Sequence, residues 1–197
     1  MKKQIDMNRV RAMAVAAVCL VAMAAPFAAI AADKKSEKSE KPEKPEKFEQ
    51  FATTAQIVEV LDFNVDSSCQ PASPGTESTA MGMISGSGLG TTGIGAFTIS
   101  SLDCVRAANP SFRPPYAFSS KSLKLTTANG DIVATYSGTA VLDPATFLLV
   151  LNGTFEFTGG TGVYKKVQGR GSLVGAEDIS NFPAAKGFVT LTGSIAR

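Results

Sequence analysis

Apolar and polar positions alternate along most of this chain, and the clearest case runs from Phe147 to Phe157. Every second residue there is apolar or glycine: Phe147, Leu149, Leu151, Gly153, Phe155 and Phe157. The other parity reads Leu148, Val150, Asn152, Thr154 and Glu156, and turns polar after two positions. A period of two belongs to a strand with one buried and one wet face. A strand of that length suits a barrel or a strongly coiled sheet better than a small open one. The same alternation predicts eight strands, over 53–63, 79–89, 93–103, 117–128, 131–141, 146–158, 165–175 and 186–196. No stretch among them carries a 3.6-residue apolar stripe. Turn chemistry separates them, as at Asn129-Gly130, Asp143-Pro144 and Gly159 to Gly162. Asn-Gly between two alternating runs is a strong hairpin signal. Short connections make neighbouring strands antiparallel, and eight of them can close into an up-and-down barrel without free edges. The fold expected is therefore all-β, an eight-stranded antiparallel up-and-down barrel, with a two-sheet sandwich as its competitor. The glycines from Gly82 to Gly95 favour closure, since strand glycines are tolerated where a sheet bends sharply.

Two segments precede the alternating region. Residues 1–31 read as a signal peptide: Lys2, Lys3, Arg9 and Arg11, then an apolar run from Ala12 to Ala25, then small residues with cleavage expected at Ala31. The apolar run is shorter than a spanning helix needs, so no membrane attachment is expected once it is removed. Cys19 lies inside that run and goes with it. Residues 32–50 hold the tract DKKSEKSEKPEKPEKFEQ, a Lys-Ser/Pro-Glu repeat with almost no apolar content. Such a tract cannot bury enough surface to offset chain entropy and is expected to be a disordered linker. The barrel domain is then 51–197.

Charge follows the same division. The first 32 residues carry four basic groups against Asp6, and the linker holds six lysines against six acids. The remaining residues hold nine basic groups against ten acidic ones, so the net +2 of the chain comes from its leader. The barrel domain has no basic footprint, which argues against nucleic acid as a partner. The chain has no histidine, which excludes Ser-His-Asp and Cys-His mechanisms and removes the commonest metal ligand. No metal site and no cofactor are expected. Gly88-Leu-Gly-Thr-Thr-Gly93 matches a dinucleotide-binding pattern, but a strand follows it where a helix would be needed.

Two longer loops, 64–78 and 104–116, each carry one cysteine, Cys69 and Cys104. In an exported chain such a pair is expected to oxidise, the rival being a free thiol. The second loop also holds Arg106, Phe112, Arg113 and Tyr116, a mixture that suits a binding rim. Within strands, Glu59 lies between Ile57 and Leu61, but Val58 and Val60 make the other parity equally apolar and leave its facing open. If it faces a lumen, desolvation would raise its pKa and fit it for acid–base work. Tyr136 shares a parity with Ile132 and Ala134 and could place a hydroxyl there too. Glu156 lies on the polar parity and is expected to be solvated.

The run from Leu125 through Ala128-Asn129-Gly130-Asp131 to Thr139, with Phe155 to Tyr164 and Gly169-Arg170-Gly171-Ser172, resembles bacterial secreted proteins with an allene oxide cyclase-like barrel. Gly93 to Thr98 resembles the third-strand segment of that family, with Gly-Ile-Gly standing where His-Leu-Gly is usual. The resemblance covers about 53–197. It implies an eight-stranded antiparallel barrel related to plant allene oxide cyclases and dirigent proteins, and it allows association into homo-oligomers. The matching elements are turn motifs, which speak to fold and not to chemistry, so no catalytic residue is carried over. The expected function is a non-catalytic binding or structural role, with a small apolar ligand as partner. The alternatives are an isomerase or cyclase using Glu59 or Tyr136 in an open lumen, and a surface-interaction protein using the 104–116 loop.

Overall fold

The computed structural model describes residues 47–91 and 93–197. The signal peptide, its cleavage at Ala31 and all of the linker before Lys47 lie outside the described residues. Eight strands run in chain order: β1 Glu49–Asp62, β2 Ser78–Gly90, β3 Gly95–Ala107, β4 Tyr116–Thr127, β5 Gly130–Leu142, β6 Leu148–Gly160, β7 Gln168–Asn181 and β8 Ala184–Ala196. Each pairs antiparallel with the next, and β8 pairs back onto β1 to close the barrel. The expected eight-stranded antiparallel up-and-down barrel is the fold, and the sandwich is excluded. A single 3₁₀ turn, Gly162–Tyr164, is the one helical element among the described residues.

Each strand is 12 to 14 residues long, and its burial alternates with period two. In β1 the inward parity is Phe51, Thr53, Ala55, Ile57 and Glu59, and all five are buried. Val58 and Val60 point outward, 38% and 37% exposed. Crossing the paired residues from Leu61 leads through Gly82, Asp103, Ser120, Tyr136, Phe155, Gly171 and Gly193 to Phe51. One circuit thus lands ten residues earlier on β1, a stagger that tilts the strands and leaves an interior of side-chain dimensions.

The two ends of that interior differ. Toward the start of β1, Phe51, Phe155 and Phe157 stack against one another at 5.0 to 5.7 Å. Ile132, Ile195 and Tyr164 are buried at the same end. These side chains fill the lower lumen. At Gly130 the β4–β5 turn needs a positive φ of 130°, and a Cβ there would overlap the Thr161 carbonyl of the neighbouring β6–β7 connection. The other end, where the odd-numbered strands finish, is the mouth.

Strand ends depart from expectation in ways that matter below. β1 starts at Glu49, so it takes in two residues that composition assigned to the linker. β3 runs on to Ala107, shortening the second loop to 108–115, and β7 runs on to Asn181. Phe147, expected on the buried parity of β6, is instead in the turn before it, 71% exposed with φ 58°. Its backbone N–H donates to the Asp143 carbonyl at 2.8 Å, so the turn sets its direction before the strand begins.

Cys69 and Cys104 form a disulfide with their Cα atoms 5.3 Å apart. Cys104 lies on the outer parity of β3, and the β1–β2 loop is tied down over it, which is why both sulfurs are buried. The bond closes a loop of 35 residues. Reduction should therefore destabilise the barrel by about 4 kcal/mol in the chain-entropy model. Urea unfolding with and without reductant measures this, and an unchanged midpoint would refute it.

Candidate functional site

The upper lumen holds a cavity of about 70 Å³, walled by apolar residues such as Ile57, Ile99, Phe118, Leu151 and Leu191. Into it converge polar residues from four strands: Glu59 of β1, Ser101 and Asp103 of β3, Tyr136 of β5 and Glu177 of β7. The three carboxyl residues are buried, at 7%, 6% and 4% exposure. Closure of the barrel turns the β1 parity inward and so settles the facing of Glu59. Tyr136 is inward as its parity suggested.

Gly82 is what lets two of these acids meet. It pairs with Leu61 on one side and Asp103 on the other. A Cβ at this position would overlap both Glu59 Oε1 and Asp103 Oδ1, so both oxygens lean over the same bare Cα. Both are buried and lack a hydrogen-bond partner. Two carboxylates cannot donate to each other, but a proton on one lets it donate to its neighbour.

Burial sets the acidity of the group. Loss of hydration, reinforced by the charge of Asp103, pushes the Glu59 carboxyl up to about 8. Burial, with the charge of Glu59 adding, takes Glu177 to about 8. Burial also raises Asp103, to about 7, although a hydrogen bond from Tyr136 holds it down. The Tyr136 phenol is pushed well above its ordinary value by burial and then by Asp103. At neutral pH the site is thus a set of largely protonated acids in an apolar chamber.

A bulge in β4 completes the wall. The register shifts on both sides of β4, between Ser120 and Lys124 toward β3 and between Ser120 and Leu123 toward β5, leaving Lys121 and Ser122 facing out together. Phe118 and Ser120 before the bulge and Leu123 and Leu125 after it all remain buried. Serines satisfy the broken ladder. Ser120 and Ser122 hydroxyls donate to the Leu102 carbonyl at 2.6 and 3.0 Å, and Leu102 N–H donates to Ser122 Oγ at 3.0 Å. The Ser120 proton being committed, Ser101 donates to Ser120 across 2.8 Å, and Tyr136 donates to Ser101 at 3.1 Å. Tyr136 also lies in hydrogen-bond reach of Asp103, so its single proton is shared between that carboxyl and Ser101.

Neither a protein-family model, nor a curated protein, nor a solved structure matches this chain.

Of the rim residues expected from sequence, Tyr116 lines the cavity and Phe112 stacks on it at 4.9 Å. Tyr116 donates its hydroxyl proton to the Phe112 carbonyl at 3.1 Å. Phe63 and Phe182, which sequence reasoning did not single out, join them: Phe63 meets Phe112 at 5.0 Å and Phe182 at 5.9 Å. Aromatic side chains therefore form a continuous run along the mouth, from Phe182 through Phe63 and Phe112 to Tyr116. Arg106 and Arg113 are exposed and stand apart from the cavity lining, Arg106 on the outer parity of β3 and Arg113 in the loop, where Asn109 holds its backbone. Glu156 is exposed on the outer wall. Asp103, Glu177, Ser101 and Ser120 were missed. The signal that could have found the two acids is parity carried further, through Ser101, Asp103 and Val105 in β3 and Leu173, Gly175, Glu177 and Ile179 in β7.

Among the described residues, no group of His, Cys, Asp and Glu has a metal-holding arrangement, and no helix is long and apolar enough to cross a membrane.

Proposed function

We propose that this is an exported barrel that binds a small, largely apolar molecule in its upper lumen, taken in past the aromatic mouth. The observation that carries this reading is the chamber itself: an apolar wall, an aromatic opening and a few convergent polar groups, the usual composition of a ligand site. Its volume is small, roughly half of the 150 Å³ that holds benzene in an engineered cavity. The part of the ligand inside is accordingly a few heavy atoms, and anything longer extends through the mouth beside Phe182. Export to the periplasm or the cell exterior is supported by the disulfide, which suits an oxidising compartment.

Native mass spectrometry of protein purified from its own host tests the reading. A small molecule bound one to one is expected, and it should be absent from Ala185→Leu, which fills space beside Glu59. Protein that is always empty, and whose stability no small apolar compound raises, would end this proposal.

The acid cluster favours one second reading. A carboxyl that titrates at about 7 to 8 can give a proton to one atom of a substrate and take one from another, which is isomerase or cyclase chemistry. Solvent deuterium appearing in a released ligand would separate it from simple binding.

A further inference from the structure

Hydrogen-bond supply and demand in the chamber are unequal. Glu59, Asp103 and Glu177 bring acceptors, and two of those oxygens, Glu59 Oε1 and Asp103 Oδ1, are more than nine-tenths buried with no partner. Of the hydroxyl groups alongside, Tyr136 divides its one proton between Ser101 and Asp103, and the serines direct theirs along the wall to the Leu102 carbonyl. The titratable groups on the cavity wall are the three acids with Tyr116 and Tyr136, and no lysine or arginine lines it among the described residues. The chamber's donors are then the Tyr136 phenol and the protons the acids themselves hold, fewer than the acceptors they face, and no positive charge lines it among the described residues. A hydroxyl ligand brings one donor and no charge, whereas a primary ammonium brings three N–H donors and one positive charge. The short apolar wall between the acids and the mouth suits a short alkyl chain.

We infer that the cluster of Glu59, Asp103 and Glu177 is the binding site for a small primary alkylammonium ion, its nitrogen among the carboxyls and its chain directed toward the aromatic mouth. This rests on the reading of the lumen as a binding chamber and names the ligand class for it. One carboxylate neutralises the cation, and the remaining acids accept N–H through their carbonyl oxygens. When all three acids begin protonated, binding of the ammonium releases about one proton to solvent. Affinity should therefore rise between pH 6 and 8.5, while the amine itself remains charged.

Isothermal titration calorimetry on the oxidised, folded barrel tests this with propylammonium chloride, 1-propanol and tetramethylammonium chloride at matched ionic strength. Propylammonium should bind about tenfold or more tighter than 1-propanol at pH 8.5, and lose about tenfold or more by pH 5.5. At pH 6.5, titrations in buffers of different ionisation enthalpy should report about one proton released per ligand. Glu59→Gln and Glu177→Gln should each weaken propylammonium about tenfold, and Glu156→Gln, on the outer wall, should not. If either lumen variant fails to fold, the comparison of ligands on the unaltered protein still decides. Binding of 1-propanol as tight as that of propylammonium would overturn the ammonium assignment and leave the binding chamber standing. Tetramethylammonium binding as tightly as propylammonium would overturn it too, since it has no N–H to donate. Binding of none of the three would overturn the ammonium assignment, and the apolar-ligand reading would then stand or fall on its own test.

Discussion

Raising the pH from 5 to 9 should weaken the barrel by several kcal/mol, the reverse of the trend expected where paired carboxylates stabilise a fold. The three lumen acids carry this effect. Unfolded, Glu59, Asp103 and Glu177 lose their protons near pH 4; folded, they hold them to about 8, 7 and 8. Across that window the native chain binds more protons than the unfolded chain, so stability falls with rising pH. It is whole below about pH 4 and lost progressively to about pH 8. Each pH step over which one group keeps a proton that the unfolded chain has shed costs about 1.4 kcal/mol, and coupling within the cluster trims the total. Exposed aspartates act oppositely at the acid end. Asp66 is held below its ordinary value by the Ser68 hydroxyl, Asp143 by Thr146, and Asp178 by the Ser180 backbone N–H. Their contribution disappears as pH drops through their lowered values, which places the stability maximum near pH 4 to 5. Urea midpoints across pH 3 to 9 measure the curve, and Glu59→Gln with Glu177→Gln should flatten its alkaline limb. A midpoint that is level or climbs from pH 5 to 9 would show the acids to be hydrated, and the dry chamber would be wrong.

Two phenylalanines of one parity should behave oppositely. Phe155→Ala should cost about 3 to 5 kcal/mol, because its ring is buried between Phe51 and Phe157 in the filled lower lumen and its loss leaves a void. Phe147→Ala should change stability by less than about 0.5 kcal/mol, its ring being in solvent. Urea unfolding of both variants with an unchanged slope tests the pair. Equal costs would mean that β6 begins earlier than Leu148 and that Phe147 is part of the core.

These residues also show where sequence is informative. Period-two alternation identified the eight strands, and the inward face of β6, because a barrel interior rewards one parity along each strand. It could not orient β1, since outward Val58 and Val60 cost little on a surface where single apolar residues are ordinary. It lost Phe147 because a turn, and not the strand, decides that residue's direction. It lost Asp103 and Glu177 because a charged residue near a strand end looks like the start of a loop, and only the closed barrel carries those ends inward. The β4 bulge was invisible for a similar reason. Two consecutive polar residues, Lys121 and Ser122, resemble a break in pattern, and the compensating shift is a property of both neighbouring strands together. The disulfide was legible from cysteine count and compartment, while its place on the outer wall was not.

The lower lumen is stopped by Phe51, Phe155 and Phe157, so the chamber is a cup and not a conduit. Whatever enters must leave by the way it came. A narrow rim then slows arrival and departure by one common factor, so trimming Phe63, which touches the rim but not the chamber, would quicken exchange and leave occupancy at equilibrium where it was.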